Sequence, residues 1–148
     1  MRPKVNDYRI EDDGITHINI YSNGQTELGR RLSNFEAGDV ETLDGTFASV
    51  EAYYHWLKCS LALSMLGSTE LFTMAQYHAK LSALRLKSGV EAQLAGRSLR
   101  KYLEEERAYF IDRPTEDFTQ RIRYALFKKI TGDERLMTMY LSNELPLT

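Results

Sequence analysis

Residues Thr46 to Leu66 read TFASVEAYYHWLKCSLALSML, and the way this stretch winds decides the rest of the chain. Ser49 is a helix-capping residue, and Glu51 falls in the first turn after it, where a carboxylate suits the exposed N–H groups and the helix dipole. At 3.6 residues per turn, Val50, Tyr53, Leu57, Leu61 and Met65 form an apolar row that seeks a core. Glu51, Tyr54, His55 and Lys58 gather on another side: an acid, a phenol, an imidazole and an amine within two turns. Two readings are open for this second row. It is a site, or it is a solvated outer face on which Glu51 and His55 make an ordinary pair four residues apart.

Upstream, Tyr8–Glu11 and Ile15–Tyr21 flank Asp12-Asp13-Gly14, which predicts a hairpin in which Ile18 and Ile20 share a buried face. The polar stretch NGQTELGRR reads as a loop bounded by glycines. Val40–Leu43 predicts a third short strand closed by Asp44-Gly45. The first helix is expected to end near Gly67. A second spans Thr69–Lys87, and a third Val90–Phe110, with Gly96 marking close packing or an irregular turn. A fourth follows Pro114-Thr115 with Phe118, Ile122, Leu126 and Ile130 as its apolar side, and a fifth covers Glu134–Leu141 before a looped tail. The expected fold is α+β by content and α-dominated by mass: five helices and a small N-terminal antiparallel β element.

Composition sets the bounds. The chain of 148 residues is the size of one domain, residues 1–148, and such a length buries about 70% of its unfolded surface without a metal or disulfide. A single cysteine suits a reducing cytosol, and a cytoplasmic location is expected. The 19 basic and 21 acidic residues leave a net charge of −2, so any nucleic-acid contact must come from a local patch such as Arg30-Arg31 or Arg97–Lys101. No apolar run is long enough to span a membrane, and the N-terminus lacks the apolar segment of a signal peptide. Glu51, His55 and Cys59 share a helix row, but three ligands so placed do not converge on one ion, so no metal is expected and Cys59 reads as a buried thiol.

If the polar row is a site and not a solvated face, one chemistry open to it is cleavage of a glycosidic C–N bond, which passes through an oxocarbenium-like sugar. Glu51 supplies the carboxylate that such a step needs. His55 and Lys58 donate to phosphate or to the departing base. Ser33 and Asn34 fix ribose or water, and Phe35, Tyr54 or Trp56 stacks on a planar base.

Ser33-Asn34-Phe35, then Asp44-Gly45, Phe47, Ser49, Glu51, Tyr53 and Lys58, resemble the motif of the YbiA-like, or NADAR, family. Ala52 stands where that family usually has His, and His55 where Gln is common. Ala92–Arg97 (AQLAGR) is similar to its small-residue helix ending in Gly-Arg, and Ile122–Lys129 (IRYALFKK) to its later Met-Arg-x-Ala-Leu-x-x-Lys helix. The likeness runs from Ile18 to Leu145 and is specific in Ser33–Lys58. It implies an N-glycosidase whose catalytic carboxylate is Glu51. Its substrates would be phosphoribosyl intermediates of riboflavin synthesis or ADP-ribosylated guanine in nucleic acid, with no cofactor. Ser33, Asn34, Phe35, Tyr54, His55, Lys58 and Arg97 are the candidate substrate contacts. The family's C-terminal segment, with a Trp-Gly and a last helix, has no counterpart before Leu147-Thr148, and its mid-chain Trp has none better than Tyr109 or Phe110. A module that binds ADP-ribose, a nucleotide or a protein without reacting is therefore the alternative.

Overall fold

The computed structural model of the chain describes residues 8–66, 71–111 and 113–148. Six helices and one hairpin are placed among them: α1 (Glu27–Leu32), β1 (Val40–Thr42), β2 (Gly45–Phe47), α2 (Val50–Ser64), α3 (Leu71–Leu84), α4 (Gly89–Glu105), α5 (Glu116–Thr131) and α6 (Glu134–Ser142). The result is a single, mostly helical domain with one small antiparallel sheet near its N-terminal end, as the patterning predicts. The expected helix stop at Gly67 and helix opening at Thr69–Glu70 lie outside the described residues. Among the described residues, no helix is long and apolar enough to cross a membrane.

The helix starts follow from local chemistry. The Ser49 hydroxyl accepts a hydrogen bond from the Ala52 N–H at 3.1 Å and donates to the Lys87 carbonyl at 2.9 Å, so the cap of α2 also ties it to the start of α4. Thr115 and Asp133 cap α5 and α6 in the same way. The β hairpin turns through Asp44-Gly45 with Val40 opposite Phe47, and Gly45 takes a φ of +109° that only glycine adopts freely. The turn is pinned from outside. Tyr53 Oη donates to Asp44 Oδ2 at 2.6 Å, Arg121 Nη1 reaches both carboxylate oxygens, and Arg85 Nη1 donates to the Asp44 carbonyl. Burial, with help from the Asp44 carboxylate, pushes the Tyr53 phenol up to about 12.

The N-terminal expectations need correction. Ile10–Asp12 forms one 3-10 turn, and the hairpin predicted for 8–21 does not form. Segment 18–20 pairs instead with the C-terminal tail: Ile18 N–H donates to the Pro146 carbonyl at 2.8 Å and Thr148 N–H to the Ile18 carbonyl at 2.9 Å. The cause is Asp13, a buried carboxylate that accepts from the N–H groups of Asn19 and Gln25 at 2.9 and 2.7 Å and folds the strand candidate into a loop. Ile18 is buried as expected, but His17 is buried beside it and Ile20 is 39% exposed, so the alternation fails at those two positions.

The stretch NGQTELGRR is likewise half helix. Thr26 caps α1 by accepting from the Gly29 N–H at 3.0 Å. Gly29 sits inside α1 because a Cβ there would lie 2.2 Å from the Asn19 carbonyl oxygen, so this glycine permits a close approach and does not mark a break.

The apolar row predicted on α2 is also displaced. Val50 and Tyr53 are buried, but Leu61 and Met65 are 39% and 46% exposed, and Leu57 is half-buried. The buried arc instead takes in Ala52, Cys59, Ala62 and Leu63. The reason is that α2 is central, contacting α3, α4 and α5. Small residues bring the backbones close together there, and a helix covered on several sides has no single apolar stripe to mark one inward direction.

Candidate active site on the outer face of α2

The tripeptide Ser33-Asn34-Phe35 joins three helices through its backbone. The Ser33 carbonyl accepts from Lys129 Nζ of α5 at 2.6 Å. The Asn34 carbonyl accepts from the Glu51 N–H at 3.0 Å, satisfying a free donor in the first turn of α2. The Phe35 carbonyl accepts from the Gly89 N–H at the start of α4 at 3.1 Å. Ser33 is buried and its hydroxyl accepts from the Phe35 N–H at 3.2 Å, while the Asn34 side chain is exposed. The segment so anchored lines one cleft together with Glu51.

Glu51 stands where two clefts meet. One, of about 270 Å³, is lined by Ile20, Tyr21, Ser22, Ser33, Asn34 and Phe35 together with Glu51. The other, of about 280 Å³, is lined by Glu51, Tyr54, His55, Lys58, Cys59, Gln93, Arg97 and Arg100. The candidate residues therefore sort into two groups, Ser33, Asn34 and Phe35 on one side and Tyr54, His55, Lys58 and Arg97 on the other, with Glu51 common to both. Glu51 Oε1 lies 2.9 Å from His55 Nε2, and both side chains are only 12% exposed. Such burial is at odds with a freely solvated face. The imidazole is seated by α4: it rests on Gly96, where no side chain intervenes.

The second cleft carries the positive charge. Lys58 Nζ lies 4.9 Å from the centre of the Tyr54 ring. Arg97 is exposed, and no carboxylate lies within ion-pair range of it among the described residues. Arg100 is partly engaged, with its Nε 2.8 Å from Glu104 Oε1 and its guanidinium 4.6 Å from the centre of the Phe110 ring.

Two expectations, the Trp56 platform and the Arg30-Arg31 patch, do not survive the geometry. Trp56 turns away from the clefts; its ring lies 5.4 Å from that of Phe47, under the Arg85 guanidinium, so it is a core residue and no base platform. Arg30 donates to the Gly24 carbonyl, and Arg31 pairs with Asp133, away from Glu51. Cys59 reaches the edge of the cleft but is buried, and desolvation pushes its thiol up to about 12, a poor nucleophile. Among the described residues, no group of three His, Cys, Asp or Glu side chains is disposed to hold a metal ion.

Two contributors escape the sequence reading. Gln93 lies one turn before Arg97 and enters the cleft with it; the spacing of four was the available signal. Lys129 closes the helix motif Ile122–Lys129, and its amine is lowered to about 8, chiefly by burial, with Arg31 adding to the shift and Glu36 opposing it.

No protein-family model matches this chain, and neither a curated protein nor a solved structure shows significant similarity to it.

Proposed function

We propose that this protein is an N-glycosidase, with Glu51 as the carboxylate that faces the anomeric carbon. The observation that carries the reading is the position of Glu51 at the meeting of two clefts, in hydrogen-bond contact with His55. A scissile C–N bond laid across that junction has the carboxylate beside the developing cation, the role that oxocarbenium-like transition states require. His55 holds the carboxylate in register through Nε2. Lys58 and Arg97 take a phosphate in the cationic cleft. Ser33, Asn34 and Phe35 frame the opposite side, with Phe35 or Tyr54 as the ring against which a base rests. The resemblance of Ser33–Lys58 to YbiA-like proteins supports the same bond class.

Two substrate classes fit: an ADP-ribosylated nucleobase, such as guanine in nucleic acid, and a phosphoribosyl intermediate of the riboflavin route. The first is preferred, because Lys58, Arg97 and Arg100 offer more cations in one cleft than a single phosphate needs. The test is product analysis by mass spectrometry after incubation with single-stranded DNA carrying ADP-ribosylated guanine and, separately, with the phosphoribosyl amine. Release of ADP-ribose from the DNA is expected. Cleavage of the small substrate alone reverses the preference. Binding of ADP-ribose without release from either substrate replaces the enzyme with a non-catalytic binding module.

A further inference from the structure

A third concavity adjoins the cationic cleft and shares Tyr54 and Lys58 with it. It runs between α2 and the segment that leads into α5, walled by Leu61, Tyr109, Ile111 and Phe118, with Arg113 at its rim. Its free space is about 80 Å³, less than the roughly 150 Å³ of a closed cavity that takes benzene, so a ring laid here rests against the walls on one side and stays open to solvent on the other. Tyr109 is 64% exposed and Leu61 39%, so the fold leaves apolar surface open here that it buries elsewhere. Phe118 meets Tyr54 edge to face, with ring centres 5.6 Å apart, which fixes one wall. Among the described residues that line the slot, the charged ones are Lys58, which it shares with the Glu51 cleft, and Arg113, so a ring laid here has positive charge next to whatever it is attached to.

We propose that this slot binds the heteroaromatic base of a nucleotide, stacked against Tyr109 and Phe118, with the nucleotide's phosphate at Lys58. Aromatic side chains take any base by its π-face, and an ammonium on a flexible stem takes phosphate as a point charge. The occupant is thus a phosphorylated nucleoside; a purely apolar group would leave Lys58 and Arg113 unused. The inference shares Lys58 with the proposed glycosidase cleft, but it concerns binding and needs no turnover.

The test is equilibrium titration of the full chain with AMP, adenosine and inorganic phosphate, each with Tyr109→Ala, Phe118→Ala, Lys58→Ala and Glu51→Gln variants. AMP is expected to bind with a dissociation constant of about 1 mM or tighter. Adenosine should bind roughly tenfold more weakly. Tyr109→Ala should weaken AMP and adenosine alike by roughly tenfold and leave phosphate untouched; because Tyr109 is exposed, its loss tests the slot without disturbing the core. Glu51→Gln should bind AMP at least as tightly as the wild type, because it removes a negative charge from the cleft that Lys58 lines. Absence of AMP binding, or AMP binding that Tyr109→Ala and Phe118→Ala both leave unchanged, overturns the slot. Adenosine binding as tightly as AMP overturns the place of Lys58. AMP binding without hydrolysis of any glycosidic substrate sinks the glycosidase reading alone, and hydrolysis without AMP binding sinks this one alone.

Discussion

Gly96 lies directly under the His55 ring: a Cβ at Gly96 would stand 2.2 Å from His55 Cγ and 2.6 Å from both Cβ and Nδ1. Glycine inside a helix ordinarily costs about 1 kcal/mol against alanine, so on propensity alone Gly96→Ala should stabilise α4. The contact reverses that sign. Gly96→Ala is expected to destabilise by about 1–3 kcal/mol as an overpacked core site and to move the imidazole off Glu51. His55→Ala removes the two ring contacts but keeps the one to Cβ, so it should rescue Gly96→Ala in part. Urea denaturation of the two single variants and the double variant gives the coupling, expected at about 1 kcal/mol or more. A neutral or stabilising Gly96→Ala in the wild-type background would refute this account.

Glu51→Gln isolates charge from shape. The glutamine carbonyl can still accept from His55 Nε2, and the N–H of residue 51 still donates to the Asn34 carbonyl, so the fold should change by less than about 1 kcal/mol. Cleavage of a glycosidic substrate should fall by roughly a hundredfold or more. Wild-type turnover in the variant would be incompatible with Glu51 as the reacting carboxylate.

The legible parts of the sequence were those governed by local chemistry. Ser49 and Glu51 mark the start of α2 in sequence as they do in space, and Asp44-Gly45 marks the hairpin turn. The polar row of α2 was also readable, because the 3.6-residue period alone puts Glu51, Tyr54, His55 and Lys58 on one side. What stayed hidden was set by partners distant in sequence. Asp13 makes a loop of a strand candidate by holding Asn19 and Gln25. Ile18 finds its neighbour at residues 146–148. Leu61 faces an open slot because α2 is covered on its Ala52, Cys59 and Leu63 side. In the site, Arg97 and the close packing at Gly96 were marked in the sequence; that Gln93 would join Arg97 and that Gly96 would meet His55 was not, since no pattern within α2 announces which residues of α4 will meet it.

Lys129 gives the fold a distinct pH signature. Its amine is lowered from 10.5 to about 8, chiefly by burial, so below pH 8 both folded and unfolded chains are protonated and the cost of burying the ammonium is carried in full. Between about 8 and 10.5 the unfolded chain holds the extra proton, and this residue's contribution to stability rises with pH. Lys129→Met removes that cost and leaves the Ser33 carbonyl without its donor. Relative to wild type, the variant should therefore be at its most stable at neutral pH and lose ground as pH rises. Denaturant titrations of both proteins at about pH 7 and about pH 9.5 check the sign. A stability difference that does not change with pH would show that the amine is solvated.

Lys58 distinguishes a phosphate-reading cleft from a decorated helix surface. Its ammonium faces the Tyr54 ring at 4.9 Å and lines the cleft that Arg97 and Gln93 complete. The cation–π contact is worth about 0.5–1 kcal/mol at an exposed site, and its loss affects every substrate equally. A charge-assisted hydrogen bond to phosphate is worth about 1.5–3 kcal/mol and is lost only for a phosphorylated substrate. Lys58→Ala should therefore raise KM for the phosphorylated compound roughly ten- to a hundredfold over any change for its bare nucleoside. Arg97→Ala should act in the same direction. Arg100→Ala should do less, because its guanidinium is already shared between Glu104 and Phe110. The ratio of the two KM changes, measured for all three variants, cancels any general loss of packing. A ratio near one throughout would return Lys58 and Arg97 to the role of surface charges and leave Glu51 without an anion-binding partner.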